Sequence, residues 1–306
     1  MKRVAIGIYH YPNALKSAIY GLEELFLMAN SVCNEHQLDV VFEPVIFEHT
    51  QSLDNTFAVI LLPPGLQDSD YINPDIKIVE WLQTQHRQGA TLASACAGAF
   101  ILAATNLVDS RAVTTHWGLV PQFAGQFPHI ELKSNEILIN HGDVITAGGM
   151  MSWLDLGFEL VKQYASASVM RKLGKLLVVD TAPREQRFYQ QFNPSLLHGD
   201  QSIVSIQQSM NLSYMDSLSV NTLAAQANLT VRTMQRRFLK ATGYTPNQYL
   251  QRLRVQKACD YLESGQHSFE YIANLIGYED TSACRKIFIK IIGLTPREFR
   301  KRFTEY

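Results

Sequence analysis

Along the first 180 residues, short aliphatic or β-branched runs alternate with stretches whose apolar residues recur at helical spacing. Residues 4–9, 40–47, 58–62, 91–95 and 144–146 read as strands, and 20–34, 76–88, 98–105 and 150–164 as amphipathic helices. Pro63-Pro64-Gly65 and Gly148-Gly149 punctuate two strand ends. Strands and helices in alternation predict an α/β domain: a parallel sheet with helices on both faces.

From residue 201 onward strand signals vanish and every segment reads as helix. Two stretches there repeat one another, LAAQANLTVRTMQRRFLKATGYTP over 223–246 and IANLIGYEDTSACRKIFIKIIGLTP over 272–296. Each opens on an aliphatic residue and Ala, continues through a basic cluster ending in Phe238 or Phe288, and closes on Gly and Thr-Pro. The pattern predicts an all-α domain with two helix-turn-helix units, a module suited to placing two helices in neighbouring major grooves. Between the copies, Leu250, Leu253, Ala258 and Leu262 form an apolar stripe on a helix that would bridge the units and fix their separation, about one duplex turn or roughly 34 Å. A polar, irregular stretch from Pro183 to Asp200 marks the connection. The expected division is 1–185 for the α/β domain, 186–205 for a linker and 206–306 for the helical domain.

In the first copy, core spacing of Leu223, Ala227, Met234 and Phe238 leaves Arg232, Gln235 and Arg236 outward on the second helix. Arg pairs bidentately with guanine and Gln with adenine, so these three are candidates for base reading. Arg237 and Lys240 are candidate phosphate contacts, which position without specifying. The matching face of the second copy carries Ser282, Arg285 and Lys286, fewer bidentate groups and hence less selectivity. The Thr-Pro pairs would start the following helices, Thr as N-cap and Pro at the first helical position.

Charge supports a division of labour. Residues 201–306 hold 14 Lys and Arg against 8 Asp and Glu, a net of +6, whereas residues 1–200 hold 13 against 20, a net of −7. The four cysteines (Cys33, Cys96, Cys259, Cys284) have no short repeated spacing, so neither a zinc site nor a disulfide framework follows, and no metal or cofactor is expected. His10 and Pro12 interrupt the only leader-like run, and no apolar stretch reaches 18 residues. A cytoplasmic protein with no membrane partner is the expectation.

Ser94-Ala95-Cys96-Ala97-Gly98 sits where a strand turns sharply into a helix, and small residues two before and two after Cys96 allow the tight turn. A helix N-terminus there would favour a thiolate. With His116 downstream and Glu24 on the first helix, a Cys-His-acid group is conceivable. Each member also has a plainer role, Glu24 as a surface carboxylate and His116 as a hydrogen-bonded, semi-buried histidine. Trp117 reads equally as cleft wall or core.

Residues 215–303 resemble the AraC/XylS family of transcription regulators, on GYEDTSACRKIFIKIIGLTPREFRKRF and YLQRLRVQKACDYL. Asn228 stands where that family usually has Gly, and Cys284 where it usually has Phe. The first domain is similar to the PfpI/glutamine amidotransferase-like superfamily, which implies a flavodoxin-like fold. SACAGAF, LVDSRAVTTHW and GLEELFLMAN together make the whole chain resemble the GlxA type of AraC regulator. That resemblance implies a cleft around Glu24, Gly65, Cys96, His116 and Gly148 holding a small effector, commonly a nitrogenous metabolite, and no catalysis. It further implies double-stranded DNA as partner, a homodimer, and RNA polymerase as partner if the protein is an activator. Pro64 replaces a frequent Gly and removes one backbone donor, which weakens any oxyanion hole. The alternative is a cysteine-dependent hydratase or amidase with an appended DNA-binding domain.

Overall fold

The computed structural model describes residues 1–48, 56–182 and 184–304, and the chain divides into two compact units, Met1–Gln186 and Arg187–Tyr306. Pro183, expected to open the connection, lies outside the described residues.

The first unit runs β1 (Lys2–Tyr9), α1 (Lys16–Glu35), β2 (Val40–Phe47), β3 (Val59–Leu62), α2 (Asp68–Ile72), α3 (Ile76–Arg87), β4 (Thr91–Ala95), α4 (Gly98–Ala103), α5 (Val120–Gln126), β5 (Leu138–Asn140), β6 (Val144–Ala147), α6 (Trp153–Tyr164) and α7 (Ala167–Leu177). Strand order is β2-β1-β3-β4-β6-β5, parallel throughout except for β5, which pairs antiparallel with β6 at one edge. The expected parallel sheet thus carries one antiparallel edge strand: a three-residue strand next to a tight turn cannot carry a crossover. All four residues of β3 and all five of β4 are buried, as central strands covered on both faces require. The chain crosses from β1 to β2 in one direction and from β3 to β4 in the other. Right-handed crossovers therefore place α1 and α3 on opposite faces. The order reverses between β1 and β3, and the crevice at the carboxyl ends of these strands is where such sheets bind ligands.

The second unit is helical: α8 (Gln201–Leu212), α9 (Val220–Gln226), α10 (Val231–Thr242), α11 (Pro246–Ser264), α12 (Phe269–Leu275), α13 (Thr281–Ile292) and α14 (Pro296–Phe303). It has two cores. Ile203, Ile206, Leu223, Met234 and Phe238 gather around Tyr249, Leu250 and Leu253 at the start of α11. Ile272, Cys284, Phe288 and Phe299 gather around Val255, Ala258, Cys259 and Leu262 at its end. One helix thus serves both helix-turn-helix units, and both Thr-Pro helix starts carry full capping boxes, Thr245 with Gln248 and Thr295 with Glu298. α8 begins inside the stretch expected as linker. Ahead of it the Phe192 N–H donates to Gln256 Oε1 at 2.8 Å, and the Phe192 ring packs edge-on to Tyr244 and Tyr249.

Candidate functional site

The two second helices present the same surface. Over 231–240 and 281–290, burial matches at every one of ten positions, so residues fifty apart occupy equivalent sites. Met234 and Cys284, then Phe238 and Phe288, point inward. Arg232, Gln235, Arg236 and Lys240 stand exposed on α10, and Ser282, Arg285 and Lys286 on α13. Lys290, also exposed, is the counterpart of Lys240 that the sequence reading missed; the fifty-residue offset itself was the available signal. The turns before these helices differ by one residue, and each uses a left-handed position, Asn228 at φ 53° and Gly277 at φ 81°.

Two of the expected DNA contacts have partners of their own. Arg237 is half-buried and bound bidentately by Asp200, at 2.8 Å from Nε and 2.5 Å from a terminal nitrogen. Asp200 also caps α8 through Ile203 N–H. Arg237, a candidate phosphate contact, thus has Asp200 as its partner within the unit. At 100° per residue it flanks the Met234–Phe238 stripe and faces α8, not the exposed arc. Arg285 pairs with exposed Glu270 at 3.2 Å and lies over the Phe269 ring. A surface pair of this kind is weak and yields readily to a phosphate or a base. Beside it, Leu262, Phe269, Pro296 and Arg300 line a cavity of about 390 Å³.

In the α/β unit, Cys96 holds the strained elbow, with φ 53° for a non-glycine residue. Its N–H donates to Ala147 O at 2.8 Å, and its carbonyl accepts from Thr115 Oγ1 at 2.7 Å. Gly98 lets the elbow close: a Cβ there would fall 2.2 Å from Leu62 O. The thiol is only 2% exposed, and burial pushes it up to about 12, far more than the Ala97 N–H lowers it. The expected thiolate is thus reversed, because desolvation outweighs the short helix that follows.

Gly65 is buried under Tyr11 and Tyr71, and the Tyr11 phenol donates to Pro63 O at 2.7 Å. His116, half-buried, caps a short turn by accepting Gly118 N–H at Nδ1, 3.0 Å away, and its ring lies 5.1 Å from that of Trp117, tilted by 31°. Burial lowers its pKa, so the neutral ring with its proton on Nε2 is favoured. Gly148 follows Ala147 and is covered by Gln186, whose carboxamide donates to Thr115 O at 2.9 Å. Gly65, Cys96, Gly148 and the segment carrying His116 therefore meet at the carboxyl edge of the sheet. Glu24 does not join them. It is exposed, about 200° around α1 from Leu22, on the side opposite the buried Leu22, Leu25, Phe26 and Ala29. Gln186, far along the chain, had no local signal.

Residues 223–302 match the model of a helix-turn-helix domain, and residues 32–163 that of the DJ-1/PfpI family. The chain is 23% identical to the HTH-type transcriptional regulator GbdR of Pseudomonas aeruginosa over 73% of its own length, and spans 61% of the length of that relative. It is 22% identical to the HTH-type transcriptional regulator GlxA of Rhizobium meliloti, covering 72% of this chain and 68% of that one. Drosophila melanogaster DJ-1beta aligns with a TM-score of 0.48 at 16% identity, over 59% of this chain and all of that one. The chain joins an N-terminal domain of the DJ-1/PfpI family to a C-terminal helix-turn-helix domain of the AraC type.

Proposed function

We propose that the protein is a sequence-specific, DNA-binding transcription regulator of the cytoplasm, acting as a homodimeric activator that works with RNA polymerase and is controlled by a small nitrogenous effector. The observation that carries the reading is the doubled surface: equivalent exposed positions on α10 and α13, with their helices braced through one shared helix. Arg232, Gln235 and Arg236 read bases on the first helix, and Ser282, Arg285 and Lys286 act on the second. Lys240, joined by Lys290, holds phosphates. The effector sits at the carboxyl edge of the sheet near Gly65, Cys96, His116 and Gly148. Binding there acts only through its different affinity for DNA-competent and DNA-incompetent states. The buried, protonated Cys96 supports a pocket without turnover over a hydratase or amidase.

Binding sites selected from random duplexes, titrated by fluorescence anisotropy, test the reading. Arg236→Ala is expected to weaken specific binding by about 1–3 kcal/mol and relax preference at one base pair. Lys240→Ala is expected to weaken all sequences alike and flatten the salt slope by about 0.9. Unchanged specific affinity in the Arg236 variant would reject the assignment of this helix.

A further inference from the structure

The helical unit carries a cavity of its own. It holds about 390 Å³, within the roughly 300–1,000 Å³ of small-molecule sites. Leu262 near the end of α11, Phe269 at the start of α12 and Pro296 at the start of α14 give it an apolar lining, and all three are buried. Three arginines line it as well, Arg285 from α13 and Arg297 and Arg300 from α14. An ordinary void in a core is lined by hydrocarbon alone. This one combines hydrocarbon with guanidinium groups.

Those charges are incompletely matched. Arg285 pairs with Glu270 at 3.2 Å, but among the described residues no carboxylate pairs with Arg297 or Arg300. The nearby Glu298 carboxylate is taken up by the Thr295 N–H and hydroxyl in the α14 capping box. One terminal nitrogen of Arg300 donates to the His267 carbonyl, which holds the guanidinium in place, while its Nε is buried with no hydrogen-bond partner. A buried donor without an acceptor is costly, and one on a cavity wall is satisfied by an oxygen that enters. The apolar lining offers water few partners, whereas an oxygen carried on an apolar body suits both kinds of wall. The two oxygens of a carboxylate match the fork of a guanidinium, and its negative charge answers the positive excess. The attached apolar body displaces water from Leu262, Phe269 and Pro296.

We propose that this cavity is a small-molecule site for a carboxylate with an apolar body, and that its occupant competes with DNA for Arg285. The site stands on the cavity alone; the competition rests on the reading of Arg285 as a DNA contact. Arg285 serves both because its guanidinium lies 5.7 Å from the centroid of the Phe269 ring, and its exposed Glu270 pair is weak. A ligand held here acts on the second reading helix directly, within the helical unit.

Equilibrium dialysis of the full chain against naphthoate and its uncharged amide, naphthamide, tests the site. Naphthoate is expected to bind saturably, naphthamide at least about tenfold more weakly, and Arg300→Gln to reduce naphthoate affinity at least about tenfold. Absent saturation, equal affinity for acid and amide, or unchanged affinity in the variant overturns the site, the last because the ligand then sits elsewhere. If Arg300→Gln loses its helical circular dichroism, Arg285→Gln on the surface decides by the same measure. Competition is read by anisotropy: naphthoate should raise the apparent Kd of a labelled duplex in proportion to its concentration for the wild type, and not for Arg300→Gln. A duplex affinity indifferent to bound naphthoate overturns the competition. Failure of the transcription reading would appear as absent sequence preference and leave the dialysis result standing.

Discussion

Asp143 shows how single residues brace the α/β unit. It sits just before β6 and accepts from Arg111 at 2.6 Å while meeting His86 Nε2 at 2.8 Å. Desolvation raises its pKa, but Arg111 and His86 outweigh it and bring the carboxyl to about 2, from an ordinary 3.8. A depressed carboxyl stabilises the fold above the ordinary pKa, and that contribution is lost as pH falls through about 2. Asp143→Asn should cost about 1 kcal/mol or less at pH 6, since the group is partly exposed, and nothing near pH 2; urea melts at the two pH values check this. Gly98 is less forgiving. Its hypothetical Cβ meets Leu62 and Pro63 backbone, which cannot rotate away, so Gly98→Ala should destabilise by about 2–3 kcal/mol in the same melts. The elbow sequence SACAG marked this place because small residues leave a local trace. Glu24 misled because proximity of motif letters says nothing about helix phase. The apolar spacing of Leu22, Leu25, Phe26 and Ala29 already pointed it outward.

At the level of elements, the repeated helix-turn-helix was legible because two copies check one another. Strands β2 and β4 were legible to the residue because each is a short run rich in β-branched or small apolar residues that follows a helical stretch. β5, with three residues, offered no period, and α7 lay beyond the last strong apolar stretch. Arg237 illustrates what charge alone conceals. Its partner Asp200 lies 37 residues earlier, and only folding brings α8 against α10. Arg237→Ala should therefore lower stability in denaturant while leaving the DNA salt slope unchanged, opposite to Lys240→Ala. Denaturant melts and salt titrations of the two variants separate these roles. Thr245→Ala and Thr295→Ala should each cost about 1 kcal/mol through loss of the boxes that start α11 and α14.

At the scale of the molecule, a net −7 over residues 1–200 and +6 over 201–306 let the second unit attract a polyanion while the first repels it. No helix among the described residues is long and apolar enough to cross a membrane. The feature with the farthest reach is α11, nineteen residues long and embedded in both cores. It works as a ruler. Each residue of α-helix advances 1.5 Å and turns 100°, so adding one residue near its middle would swing one reader about a quarter turn away from the other. Seven added residues nearly restore the phase, leaving about 20°, and lengthen the ruler by about 10.5 Å. A chain so lengthened should prefer targets whose two half-sites lie about three base pairs farther apart, a change of spacing without any change of letters.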